Sequence, residues 1–270
     1  MMVIKMNQTS SDRAGVAIGI GGLNLQVTPE GRTDYEFIYN NNVYGHFNYQ
    51  KVLRSEALMK SGGNLLNLAN KLDDYKATFN GRSSLNINIR KAECPSDFEE
   101  TMGNYQKQLD DKTKCFFNKE EHVYTENNQV VGVLREYSIE TKKKIFVDST
   151  YYDAINYKGQ NYFLYPLKLD HYYLCVYNNT TLIAIIMKES ALLKKGNYTV
   201  YALDNADSDF LCMMTAKFDY TYFQPEKRRD SNGHVTIEHQ IPKFAHKSQK
   251  IAYGDKFDQN FIDRITATSN

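Results

Sequence analysis

Three short basic runs carry the clearest chemistry in this chain: Lys142-Lys143-Lys144, Lys194-Lys195 and Lys227-Arg228-Arg229. Ammonium and guanidinium groups gathered at one rim would hold a phosphate or an anionic lipid headgroup, because charge-assisted hydrogen bonds to its oxygens are the strong ones. Each run falls between segments of strand pattern, so each is expected in a loop or turn. Solvated loop lysines are ordinary. A site therefore depends on the fold bringing two of the runs to one rim.

Other constellations fail on spacing. His234, His239 and His246 lie close in sequence, but on a strand His234 and His239 point to opposite faces and match no zinc signature. Asn205, Asp207 and Asp209 sit at the alternate positions of a calcium loop. An EF-hand would next need glycine where Phe210 stands and its glutamate where Ala216 stands, so an acidic hairpin turn is expected instead. Gly19-Ile20-Gly21-Gly22 has neither the third glycine of a dinucleotide loop nor the Gly-Lys-Ser/Thr of a phosphate loop. The four cysteines, Cys94, Cys115, Cys175 and Cys212, form no Cys-x-x-Cys pair, and no Gly-x-Ser-x-Gly occurs. No catalytic residue, cofactor or metal is expected from local sequence. A site assembled from distant residues leaves no mark at this level.

The elements that must position these groups are mostly strands. Of 270 residues, 21 are Tyr and 14 Phe, with no Trp, and Tyr and Phe favour pleated, half-buried surfaces. Tyr35 to Tyr39 and Val43 to Phe47 read as a hairpin about Asn40-Asn41-Asn42, and Tyr75 to Phe79 pairs with Leu85 to Ile89 about Asn80-Gly81. Two helices are expected between, over residues 50 to 72, split by Gly62-Gly63. Phe98 to Leu109 reads as a short surface helix or a linker. From Val123 onward strands recur every 8 to 12 residues: Val123 to Thr125, Val130 to Tyr137, Lys144 to Val147, Tyr151 to Tyr157, Tyr162 to Leu167, Tyr172 to Tyr177, Leu182 to Lys188, Tyr198 to Leu203 and Phe210 to Phe218. Asn127-Asn128, Lys158-Gly159, Asn178-Asn179, Lys195-Gly196 and Asp204-Asn205 mark turns between them, and one more strand is expected near His234 to Ile241. That rhythm predicts an antiparallel barrel or sandwich. Leu182 to Met187 is apolar on both faces, so something must cover its second face. Phe257, Phe261, Ile262 and Ile265 form the stripe of a closing helix capped by Asp255. The fold expected is thus α+β and β-rich: a barrel-like antiparallel sheet with inserted helices and a C-terminal helix in or on it. Residues 1–30 are expected as a loosely ordered segment before a single domain over 31–270.

Composition narrows the function classes. A formal net charge of +1 argues against a dedicated nucleic-acid binder. No run of about 18 apolar residues exists to span a membrane as a helix. Ala14 to Leu25 is diluted by Gly15, Gly19, Gly21 and Gly22 and lacks an A-x-A cleavage pattern, so it reads as a strand or loop rather than a signal peptide. Dispersed cysteines read most simply as free thiols, which points to a cytoplasmic protein, where the sequons at Asn178, Asn179 and Asn197 carry no glycan.

The stretch from about Phe116 to Phe223, with the closing helix, resembles the superfamily of tubby C-terminal domains, LURP-one-related proteins and phospholipid scramblases. Phe117-Asn118-Lys119 to Gly132 resembles the family's strand, turn and returning strand. Tyr172 to Met187 resembles its long hairpin, turning at Asn178-Asn179 into Ile183-Ala184-Ile185-Ile186. Tyr253 to Ile265 resembles its last helix. The resemblance covers about half the chain. It implies a roughly twelve-stranded barrel threaded by that helix and, in some members, binding of phosphoinositides or membranes, and it transfers no lipid-binding residue. The function expected is a non-enzymatic binding or scaffold module for an anionic lipid, a small apolar ligand or a protein partner. The alternative is a hydrolase-type enzyme with a dispersed site in the barrel mouth.

Overall fold

Short Asn- and Gly-bearing turns join the strands into one continuous antiparallel sheet. The computed structural model describes residues 1–20, 23–52, 74–80, 84–107, 114–116, 121–143, 146–189, 196–223, 226–229, 235–238 and 241–269. Its strands are β1 (Met2–Ile20), β2 (Leu23–Tyr39), β3 (Asn42–Val52), β4 (Asp74–Asn80), β5 (Ser84–Ala92), β6 (Lys114–Phe116), β7 (Glu121–Glu126), β8 (Gln129–Lys143), β9 (Phe146–Tyr157), β10 (Gln160–Lys168), β11 (Tyr172–Asn178), β12 (Thr181–Lys188) and β13 (Asn197–Ala202). A pairing between β8 and β9 closes the sheet, so twelve strands form a barrel and β6 lies beside β8 outside the ring. The helices are α1 (Ser96–Lys107), α2 (Ser208–Tyr222), α3 (Lys247–Tyr253) and α4 (Gln259–Ser269), and a separate hairpin pairs β14 (Glu226–Arg229) with β15 (Val235–Glu238). No described helix is long and apolar enough to cross a membrane.

The turn chemistry is what the sequence promises. Asn40 and Asn41 have φ of 50° and 59°, Asn127 and Asn128 51° and 64°, Lys158 and Gly159 48° and 76°. Two successive left-handed residues match the right-handed twist of the flanking strands, and Asn and Gly accept that conformation most readily. These turns share one end of the barrel, the turn end. The opposite end, where β8 and β12 finish, is the mouth.

Barrel closure leaves a cylinder that side chains alone must fill, and here a helix fills it. α2 enters at the turn end, where Phe210 stacks on Tyr157 and Tyr162 with ring centroids 5.3 and 4.1 Å apart. Every residue from Phe210 to Asp219 is buried. The inward-facing residues of the wall, among them Ile4, Phe37, Phe47, Ile87, Leu134, Leu164, Val176 and Val200, pack around it. A segment apolar on all sides has no periodicity to read: Phe210 to Phe218 fits a doubly buried strand as well as a buried helix. The strand expected there is this helix. The acidic turn expected before it is its cap, since Asp207 accepts hydrogen bonds from the Asp209 and Phe210 amides at 3.0 Å.

Other expectations change or lie outside the described residues. Met2–Asn7, placed by sequence in a loose leading segment, pairs with β13 on one side and β2 on the other. Met2, Ile4 and Met6 alternate into the core, so this stretch is a stave of the wall. The helices expected over residues 50 to 72 lie outside the described residues, apart from the end of β3. The helix that the resemblance places inside the barrel lies outside it. In α4, Phe261, Ile262 and Ile265 pack on the outer faces of Leu167, Tyr173, Cys175 and Ile185. Its cap is Asp258, whose carboxylate accepts from the Asn260 amide at 2.9 Å, rather than Asp255. The doubly apolar strand is thereby covered twice, with Ala184 and Ile186 facing α2 and Ile185 facing α4.

α1 and α3 complete the outer layer. Met102 and Tyr105 of α1 pack on Val133, Tyr137, Tyr152 and Phe163, and the Arg135 guanidinium pins the helix by donating to the Met102 carbonyl at 3.2 Å. Pairing of β9 with β10 stops at Asp153–Leu164. Beyond it the Gln249 amide of α3 takes over the ladder, donating to the Tyr151 and Pro166 carbonyls at 2.6 and 2.9 Å and accepting from the Tyr151 amide at 2.7 Å. Buried backbone groups require such partners.

Candidate functional site

Two polar assemblies stand out from this apolar frame, one inside the barrel and one on its outer wall. Inside, α2 carries two charged residues through the core. Asp219 accepts from the Tyr35 hydroxyl at 2.8 Å and the Tyr198 hydroxyl at 2.7 Å, tying the helix to β2 and β13. Gly196 lets the chain pass this carboxylate: a Cβ there would sit 2.6 Å from an Asp219 oxygen. Beside it the Lys188 ammonium is buried over the Tyr198 and Phe223 rings, at 4.7 and 4.8 Å. Burial lowers the Lys188 pKa against the opposing pull of Asp219.

On the other side of α2, the Lys217 ammonium lies 3.0 Å from Asp153 and 3.5 Å from Glu136. His122 stands 3.9 Å from the same Glu136 oxygen. Lys217 and Asp153 are buried while 45% of the Glu136 side chain is exposed, so the cluster opens to solvent through Glu136. Burial pushes the Asp153 carboxyl up to about 6, against the attraction of Lys217. Burial also acts to raise Glu136, but Lys217 and then His122 and Lys91 hold it below its ordinary value. Burial disfavours the Lys217 ammonium, and Asp153 and Glu136 outweigh that and raise its pKa well above the ordinary value. One ammonium bridges two carboxyl groups, a clamp between helix and wall.

On the outer wall, cross-strand tyrosines form a ladder. Tyr137 stacks on Tyr152 with centroids 4.8 Å apart and planes 6° from parallel, and Tyr152 stacks on Tyr165 at 5.6 Å. Tyr177 meets Tyr165 edge to face at 5.7 Å. Period-two alternation puts these rings on the outside while Leu134, Ile155, Leu164 and Val176 face the core. The helices cover part of the ladder and leave a groove of about 470 Å³ between α1 and the turn before α4. Its aromatic lining is Tyr105, Phe163, Tyr165 and Tyr177, its amides Asn104, Asn161 and Asn179, and Thr101, Thr180 and Lys256 complete it. The Tyr177 hydroxyl donates to the Lys256 carbonyl at 3.0 Å, which fixes one wall to the floor. Burial pushes the Tyr177 phenol up to about 12, so it is a neutral donor. The groove is concave, and its lining mixes four aromatic rings with six polar side chains, a build open to a small polar ligand.

The basic runs fall elsewhere. Lys142 and Lys143 end β8, paired with Val147 and Phe146 of β9. Lys227, Arg228 and Arg229 lie on β14, paired with Ile237, Thr236 and Val235. These five are on strands, not in the loops expected: β8 runs on past the apolar pattern that marks the barrel wall, and β14 belongs to the separate hairpin with β15. Lys144, Lys194 and Lys195 lie outside the described residues, as do His234 and His239; His246 is exposed. Among the described residues no group of three or more His, Cys, Asp or Glu is placed to hold a metal. Burial pushes the described thiols up, Cys94 to about 12 and Cys175 and Cys212 also upward, so none of the three is an activated nucleophile.

Sequence reasoning singled out neither polar assembly. Lys217 is 64 positions from Asp153 and 81 from Glu136, and the helix meets the wall there only through barrel closure. The ladder did leave a signal: Tyr137, Tyr152, Tyr165 and Tyr177 each stand opposite in phase to an apolar neighbour on a strand. What the fold and the two assemblies define is a closed antiparallel barrel filled by a buried helix, with a groove of rings, amides and hydroxyls on its outer wall. No family model, no curated protein and no solved structure matches the chain.

Proposed function

We propose that this protein is a binding module rather than an enzyme, and that the mouth of its filled barrel meets an anionic surface such as a membrane carrying acidic lipids. The observation that carries the reading is topological. β8 ends at Lys143, β12 ends at Lys188, and β14 follows the C-terminus of α2, so the described ends nearest all three basic runs belong to the mouth. Lysines and arginines gathered there would each gain about 1 kcal/mol near an acidic membrane. A barrel occupied by α2 offers no hollow interior for a substrate, which weighs against a hydrolase in its mouth. A twelve-stranded barrel around an apolar helix is also what the tubby, LURP-one and scramblase resemblance implies, although the helix inside is α2 and not the closing one, and the proposal extends to kinship with that superfamily.

Cosedimentation with phosphatidylcholine vesicles, with and without phosphatidylserine, tests the proposal. Binding is expected only with phosphatidylserine present, weakening as salt shortens the Debye length. It should fall again when Lys142, Lys143, Lys227 and Arg228 are changed to Glu. Negligible sedimentation with both vesicle types at low salt removes lipid as the partner.

A further inference from the structure

The outer groove is independent of the mouth and its basic runs, and its chemistry selects a different ligand. We infer that it is a binding site for a short neutral carbohydrate. Four observations lead there. The aromatic lining is angular: Tyr105 meets Phe163 at 69° between planes, and Tyr177 meets Tyr165 at 85°. No parallel pair is spaced to sandwich a flat ring, whereas a pyranose presents an apolar C–H face to one ring and a ring edge to the next.

The polar rim is made of groups that both donate and accept. The Asn161 Oδ1 already accepts from Asn156 at 2.7 Å, which turns its NH₂ outward as a donor. The Asn179 Nδ2 already donates to Asn178 at 3.2 Å, which leaves its Oδ1 as an acceptor. Donor and acceptor side by side, with the Thr180 hydroxyl next to them, match sugar hydroxyls, which are themselves both. Backbone fixes this pair in place, since the Asn179 amide donates to the Asn161 carbonyl at 2.9 Å.

Charge is the third observation. Among the described residues no carboxylate lines the groove, so those residues do not call for a cation. The cation among its described residues, Lys256, has its Nζ 3.4 Å from Asp255, and stands over the Tyr165 and Tyr177 rings at 5.7 and 5.8 Å. A partnered ammonium does not require an anionic ligand. Size is the fourth: about 470 Å³ suits two or three sugar units and not a folded partner.

The test uses the full chain and four neutral probes: maltotetraose, cellotetraose, chitotetraose and mannotetraose. Saturation-transfer NMR finds the binder, and tyrosine fluorescence measures it without interference, since the chain has no Trp. At least one probe should saturate with a Kd below about 10 mM. Tyr177→Ala should weaken it about tenfold or more, whereas Lys256→Gln and added salt should change it by less than about twofold. If Tyr177→Ala fails to fold by circular dichroism, Asn161→Ala is scored in its place with the same expected loss. The inference is overturned if none of the four saturates. It is also overturned if binding follows Lys256 and salt, as an anion would, or if a decaproline peptide saturates the groove where the sugars do not.

Discussion

α2 and α4 are helices of similar length, and both present Phe and Ile or Leu to a β-sheet, yet one lies inside the barrel and the other outside. The difference is written in their polar residues. α4 keeps Asp263, Arg264 and Thr266 exposed beside its Phe261, Ile262 and Ile265 stripe, so a second apolar environment would strand charges. α2 has apolar residues on every side, and its two buried charges, Lys217 and Asp219, arrive with partners already on the wall. A helix goes inside when each of its faces is apolar or each polar group is met. One apolar stripe, however well patterned, indicates a surface to lie on.

The largest effect should come from inside. Phe218 lies buried at the mouth end of α2 among Tyr198, Phe223 and Phe244, with centroids 6.1, 5.2 and 5.8 Å away. Phe218→Ala should cost about 3–5 kcal/mol, a large share of a typical domain's roughly 5–15 kcal/mol. Denaturant unfolding measures it. A midpoint matching the parent's would mean that α2 does not fill the barrel.

The matching change outside should be milder. Phe261 is also buried, but under one layer of helix, where the surface can relax. Phe261→Ala should cost about 1–3 kcal/mol, and a chain ending before Gln259 should still unfold cooperatively. If that truncated chain is molten, the outer helix is part of the core and the contrast between the two helices collapses.

How much of this was legible follows the same contrast. The barrel wall was readable because alternation and Asn-rich turns are local: Tyr35 to Phe47 and Tyr162 to Met187 announce their strands and reversals within a dozen residues. α2 was not, because Phe210 to Phe218 lacks a polar face and periodicity is the only local signal that separates helix from strand. Asp207 two residues upstream of Asp209 was the available clue, as a cap rather than a turn. Met2 to Met6 was missed for a different reason. Five residues alternate too briefly to stand out, and only pairing between β13 and β2 makes them a stave. The clamp of Lys217, Asp153 and Glu136 and the groove on the tyrosine ladder need strand register, which sequence does not supply.

The smallest effect concerns the charges that let α2 remain inside. Asp153 has its carboxyl raised to about 6, with burial the main cause, against an ordinary value of 3.8. The native state therefore holds this proton more tightly than the unfolded chain does. Its contribution to stability is fully present below about pH 4 and is lost as pH rises through about 6. Glu136 acts in the opposite sense: its lowered pKa gives stability that is present above its ordinary 4.5 and lost on further acidification. Between about pH 5 and 6.5 the Asp153 contribution should dominate, so the parent should lose stability as pH rises there. Asp153→Asn keeps the shape and a hydrogen-bond acceptor for Lys217 but cannot titrate, and its stability should be flatter across that window. The difference between the two curves should be on the order of 1 kcal/mol, below the full value of a two-unit shift at about 1.4 kcal/mol per unit, because Glu136 admits solvent to the cluster. Urea midpoints at half-unit pH steps resolve it. Parallel curves for parent and variant would mean that Asp153 is ionised throughout, with Lys217 outweighing burial, and the inner helix would then carry a permanent ion pair instead of one that a proton can open.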